Sequence, residues 1–361
     1  MTRAESPLIK IFTPSDASAC NTNAQNLTVK EVVARLPEDR FHVTMLCEGE
    51  PDPRLATRAN TRLVKWARHG NTLRLLYHCL FPPPDIYFFP RTGPLDRLFF
   101  DARSRMALRS ALVTYIVMAM DAKTSAGLIG RSIAEGDVVV GNSKYVGETI
   151  SRRFAVQAST IYDGIDRRFY FPSEHADNEV PIVLYAGSFQ PRKRVEIVIH
   201  QAARFPHIPF RLAGKGETEK SCRDLATQLG CRNVSFLGHL SSEKLGKEMR
   251  EADIFFFPSI LEGNPQVLLQ AGACGLPSIA MELYLSDYVI DGKTGFLAKT
   301  DSDLAQSLDQ LISNRAMRRS FSAAAIAHTS QFEWDDITRQ WAAIFEEAAE
   351  RRWTSLQKKA S

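Results

Sequence analysis

No stretch of the sequence approaches the roughly 18 consecutive apolar residues that span a bilayer, and the opening residues MTRAESPLIKIFTPS hold neither a long apolar core nor a small-residue cleavage site. A cytoplasmic protein is therefore expected. Cysteine is sparse: Cys20, Cys47, Cys79, Cys222, Cys231 and Cys274 are scattered through 361 residues, with no Cys-x-x-Cys and no Cys/His set at metal spacing. That pattern speaks against a disulfide scaffold and a structural zinc site, and in favour of reduced thiols in core and loops. The 8 histidines likewise fall into no triad or metal spacing. A net charge of +4 is too small to demand a nucleic-acid partner, and the basic residues lack the aromatic neighbours on which bases stack.

What is present is an ordinary globular composition, 44% hydrophobic and 24% charged, in a chain long enough for two α/β domains each with its own core. Short apolar runs alternate with helical spacing. Leu8 to Thr13, Phe41 to Cys47, Leu63 to Trp66, Ile86 to Phe89, Leu112 to Ala119, Asp137 to Ser143 and Ala158 to Tyr162 read as strands of a first unit. A second series follows the polar linker Ser173 to Glu179: Ile182 to Ala186, Phe210 to Ala213, Val234 to Leu237, Ile254 to Phe257, Pro277 to Ala280 and Gly295 to Leu297. The expected fold class is α/β, with two Rossmann-like domains over residues 1–172 and 173–335 facing a central cleft and a last helix from Trp334 to about Arg352.

One stretch carries the chemistry. From Phe255 to Ala280 the chain reads FFFPSILEGNPQVLLQAGACGLPSIA: a strand, a turn, then an amphipathic segment that stops at Gly275 and Pro277. Asn is a favoured N-cap and Pro a favoured first helical residue, so the helix is expected to open at Asn264/Pro265. The amides of Gly263, Asn264, Pro265's successor Gln266 and the partial positive charge of the helix end attract phosphate there. Glu262 stands beside that site, and Gln270, eight residues on, returns to the same side of the helix.

A second cluster, Gly187-Ser188-Phe189-Gln190-Pro191-Arg192-Lys193-Arg194, leaves a strand and enters a helix with three consecutive cations; a solvated basic turn is the plain alternative. Gly214-Lys215-Gly216 ends another strand with a Gly-x-Gly turn, which lets backbone approach a ligand closely or merely makes the turn tight. Asp301-Ser302-Asp303 precedes an amphipathic helix, so Asp301 or Asp303 is expected as its N-cap and no metal is expected there.

These motifs resemble the signature of the family-four retaining glycosyltransferases of the GT-B fold. That signature has a Glu, seven residues, a second Glu, and a small-residue run ending Gly-Leu-Pro. Here Glu262-Gly263, Leu268, Leu269, Ala271 and Ala273 to Pro277 match, while Gln270 stands in place of the second Glu. Asp163-Gly164-Ile165-Asp166 with Pro172 resembles the segment that closes the first domain, with Asp163 where the family has Asn.

The resemblance implies transfer of a sugar from a nucleotide-sugar donor, a UDP- or GDP-sugar, to a glycan or lipid-linked acceptor without a metal ion or other cofactor. It implies that Lys193, with Arg192 or Arg194 replacing the Arg that Ser188 displaces, grips the diphosphate. Gly187, Gly214 and Gly216 would lie near the nucleotide, Glu262 would meet the donor sugar, and Gln270 would meet the ribose. The family's first-domain His has no counterpart, and Asp121 is the nearest polar candidate for its place. The last helix would return to the first domain. The loop Ser18 to Gln25 would shape the acceptor site. A helix punctuated by Arg91, Arg97, Arg103, Arg105 and Arg109 reads as core-packed with a wet basic face, or as contact with an anionic membrane surface or a phosphorylated acceptor. The other class of function open to the sequence is a catalytically silent sugar-nucleotide-binding subunit that works through a partner.

Overall fold

The computed structural model describes residues 8–20, 24–66, 82–89, 94–106, 110–118, 127–172 and 178–360. The segment Asn71 to Phe81, Arg91, Arg109 and Asp121 lie outside these. Two compact units divide the chain, residues 1–164 with 334–361 and residues 165–333. The division falls at Gly164/Ile165, earlier than the Pro172 expected from composition. The reason is local: Ile165 N donates to Phe332 O at 2.8 Å, which ties the start of Ile165 to Pro172 into the second unit.

The first unit is a seven-stranded parallel sheet. Its strands are β1 (Ile9–Asp16), β2 (Phe41–Cys47), β3 (Thr61–Lys65), β4 (Ile86–Phe89), β5 (Ala111–Ile116), β6 (Val138–Gly141) and β7 (Ala158–Thr160), in the order β3-β2-β1-β4-β5-β6-β7. Helices α1 (Ala24–Arg35), α2 (Pro53–Thr57), α3 (Pro94–Met106), α4 (Leu128–Ala134) and α5 (Lys144–Phe154) connect them.

β4 shows why the strands read as unbroken apolar runs. All four residues, Ile86 to Phe89, are buried, because each face of a parallel sheet meets helices. Tyr87 stacks on Phe99 of α3, with centroids 3.6 Å apart, while Phe88 on the other face packs against Trp341 at 5.0 Å. Trp341 belongs to the chain's last helix, which runs from Trp334 to Ala360. Trp334, Ile337, Trp341 and Phe345 join the same core as Val43, Phe88 and Tyr115. That helix also explains a glycine: a Cβ on Gly164 would stand 2.5 Å from the Trp334 ring.

In α3, Arg103 donates to Glu135 O and pairs with Asp137, and Arg131 of α4 lies over Phe100. Arg103 therefore serves internal packing, which favours the core-packed reading of that helix. Arg97 is exposed.

The second unit is a six-stranded parallel sheet. β8 (Val183–Ala186), β9 (Phe210–Ala213), β10 (Val234–Gly238), β11 (Ile254–Phe257), β12 (Ser278–Met281) and β13 (Gly295–Ala298) are ordered β10-β9-β8-β11-β12-β13. Around it lie α6 (Val195–Arg204), α7 (Glu219–Gln228), α8 (Ser242–Glu251), α9 (Gln266–Ala273), α10 (Asp301–Ser313) and α11 (Arg315–Thr329); the last helix is α12.

Two helix starts differ from expectation. Pro265, with ψ 114°, is the extended cap of α9 rather than its first residue, and Asn264 accepts a bond from Ser286 Oγ at 3.0 Å. At α10 the cap is Thr300, whose hydroxyl accepts from Asp303 N while the Asp303 carboxylate reaches back to Thr300 N. Asp303 thus completes a capping box instead of serving as the cap itself.

Candidate anion and sugar site

Open parallel sheets bind ligands outside the carboxyl ends of their strands, at the point where the strand order reverses. In the second unit that point lies between β8 and β11. β8 runs directly into Gly187 to Arg194 and β11 into Pro258 to Pro265, so the topology brings the two clusters picked out in the sequence together. The loops are then tied to each other: Ile260 N donates to Arg192 O at 3.0 Å and Arg192 Nη1 donates to Leu261 O at 2.8 Å.

Glu262 is the centre of that junction. Its Oε1 accepts from Lys193 Nζ at 2.5 Å, from Arg192 Nη1 at 2.8 Å and from Ser259 Oγ at 2.5 Å. Lys193 and Glu262 keep only 10% and 11% of their side-chain surface exposed, against 38% for Arg192, so the cluster has a dry floor and a wet rim. Lys193 also lies over the Phe257 ring, 4.8 Å from its centroid. Burial pushes the Lys193 amine below the usual lysine value, although the Glu262 carboxylate opposes the shift. Two buried phenols flank the group: burial first, and then the Glu262 charge, raise Tyr185 and Tyr284 well above the ordinary tyrosine value. Both stay protonated and neutral.

The structure separates the two arginines that the sequence left as alternatives. Arg192 sits in a single 3₁₀ turn, Pro191–Lys193, and reaches Glu262. Arg194 adopts the left-handed backbone, φ 52°, and its side chain pairs instead with Asp301 at the start of α10. A non-glycine residue in that conformation costs roughly 1–2 kcal/mol, which accounts for glycine being the family's residue there. Arg194 is thus not gathered with Lys193.

The glycines make close packing of these loops possible. A Cβ on Gly214, where φ is 144°, would fall 1.8 Å from Gly187 O, and one on Gly216 would fall 2.2 Å from Phe189 O. One on Gly187 would meet Tyr185 Oη at 2.8 Å. Gly214 and Gly216 therefore let the loops after β8 and β9 pack backbone to backbone, and Gly187 leaves room for the Tyr185 side chain. Gly263 and Asn264 are buried and Gln266 is half-buried at the start of α9. Gln270 Oε1 is buried with no hydrogen-bond partner among the described residues. Asp121 lies outside the described residues.

Ser259 is the residue that sequence reasoning passed over. The only signal was its place three residues before Glu262 in the loop after β11.

The architecture is the GT-B fold of glycosyltransferases: two parallel α/β units, each resembling a Rossmann domain. Anabaena HepE, solved with UDP and glucose, superposes with a TM-score of 0.76 at 17% identity, covering 94% of this chain and 100% of that one. A sucrose-phosphate synthase from Thermosynechococcus elongatus gives 0.76 at 19%, covering 94% and 98%.

Residues 166–328 match the family model described as Glycosyl transferases group 1. Curated relatives include D-inositol 3-phosphate glycosyltransferases from Stackebrandtia nassauensis, 26% identical over 251 residues, and from Mycobacterium leprae, 33% identical over 169 residues. These alignments cover 62% and 44% of this chain and only 57% and 39% of the relatives, so the chain spans about half the length of the proteins it matches. No helix among the described residues is long and apolar enough to cross a membrane.

Proposed function

We propose that this protein is a retaining glycosyltransferase that moves a sugar from a UDP- or GDP-sugar to a hydroxyl acceptor without a metal ion. The observation that supports it most is the convergence of Lys193, Arg192 and Glu262 outside the strands where the sheet order reverses. As the bond to the sugar's anomeric carbon breaks, negative charge grows on the departing diphosphate and positive charge on the ring. Lys193 and Arg192 carry the first, together with the amide end of α9. Glu262, held beside those cations, is suited to stabilise the second. Gln270 Oε1, buried without a donor, is suited to accept from a ribose hydroxyl.

The names of the curated relatives favour a phosphorylated polyol as acceptor over a long glycan or a lipid-linked sugar. Neighbours solved with UDP and with UDP-glucose favour uridine as the donor base. A cytoplasmic site of action accords with the use of a soluble nucleotide sugar.

The test is mass spectrometry of the protein with a panel of nucleotide sugars and acceptors, inositol phosphates among them. Transfer that falls by about 10²–10³-fold in Glu262→Ala supports the reading. A second reading, a silent nucleotide-binding subunit, is favoured by Ser188 and Gln270 in place of charged residues. Donor binding with neither transfer nor hydrolysis would select it.

A further inference from the structure

We propose that Ser259 is a positioning residue: its hydroxyl holds Glu262 in the one rotamer that spends a single carboxylate oxygen on the cations and leaves the other for the donor sugar. The inference rests on the glycosyltransferase reading and adds to it a residue that the reading does not need.

The argument starts from an asymmetry. Three donors meet Oε1 of Glu262, and among the described residues none is recorded at Oε2. A carboxylate offers about four lone-pair sites over its two oxygens, so Lys193 and Arg192 alone are free to divide between them or to shift from one to the other. The third donor breaks that symmetry.

Ser259 has no exposed surface and lies two residues past the end of β11. It lies 2.5 Å from Glu262 Oε1 and 3.2 Å from Arg192 O. One proton serves one acceptor, and the nearer, charged oxygen takes it. The Arg192 carbonyl loses nothing, because Ile260 N already donates to it. With Oε1 fixed by three bonds, Oε2 remains as an acceptor for a sugar hydroxyl, while Lys193 keeps two further N–H groups for a diphosphate.

The experiment measures turnover and binding in the full chain. Calorimetry with UDP and GDP reports the diphosphate; UDP-glucose and GDP-mannose report the sugar. Ser259→Ala should leave nucleoside diphosphate affinity within about twofold and lower turnover and sugar-nucleotide discrimination by about tenfold or more, the worth of one bond to a charged group.

Ser259→Cys, close in size but a weak donor, should behave like Ser259→Ala, and Ser259→Thr should recover most of the activity. In a Glu262→Ala background, Ser259→Ala should cost nothing further, since it acts only through that carboxylate. Additive losses, or diphosphate binding that weakens together with the melting temperature, would mean that Ser259 merely holds the loop. Full activity in Ser259→Ala beside a severe Glu262→Ala defect would overturn this inference alone. An unaffected Glu262→Ala, or a wild type that binds no nucleotide, would remove the underlying reading as well.

Discussion

Among the described residues each unit buries one lysine close to the carboxyl ends of its strands, and the two lysines do opposite work. In the first unit Lys30, 2% exposed on α1, donates to Ser18 O at 2.8 Å and helps pin the loop that follows β1. In that loop Asp16 Oδ1 accepts from Ser18 N, Ser18 Oγ and Glu48 N. In the second unit Lys193 instead faces a carboxylate at a half-wet junction. Both amines are pushed down by burial, so a lowered value does not tell the roles apart. What differs is the recorded hydrogen bond: the one from Lys30 to a backbone carbonyl helps fix a loop, whereas the Glu262 carboxylate at a half-wet junction can share its cation with an incoming anion.

Lys193→Ala should break the comparison most sharply, lowering transfer by about 10²–10³-fold with little change in unfolding midpoint; equal losses of activity and stability would make the two lysines alike. Lys30→Met should do the reverse. Removing its charged bond to Ser18 O should cost roughly 2–3 kcal/mol in urea unfolding, with diphosphate affinity retained.

Alkaline pH should then distinguish the site's charge from its shape. As pH rises through the lowered Lys193 value the cation is lost, so UDP affinity should fall by several-fold at a pH where an ordinary lysine is still charged, and Lys193→Arg should flatten that limb. The sign for stability is opposite. Between the lowered folded value and the ordinary one the unfolded chain binds the extra proton, so this group favours the folded state more as pH rises.

The smallest effect is expected at Arg194→Gly. Relief of the left-handed backbone and loss of the Asp301 pair should nearly cancel, leaving less than about 1 kcal/mol and unaltered transfer; a large activity loss would return Arg194 to the site.

Much of this was legible before any coordinates. Phe41–Cys47, Ile86–Phe89, Phe210–Ala213 and Ile254–Phe257 are strands with the bounds that their apolar runs indicate. Local composition suffices for a strand buried on both faces. What it could not give were features set by partners distant in sequence. The choice between Arg192 and Arg194 depends on a left-handed residue and on Asp301, 107 positions away. The start of α9 involves Asn264 with Ser286, 22 positions on. The Gly-x-Gly turn is explained by the neighbouring loop after β8 rather than by its own strand.

The helix Trp334–Ala360 has a consequence for synthesis. The face of the first sheet that holds Phe41, Phe88 and Tyr115 is sealed by Trp341 and Phe345, which leave the ribosome only after all of residues 165–333 have been made. The half that is translated first must wait, greasy side open, for the half translated second, and the later half is free to settle before it.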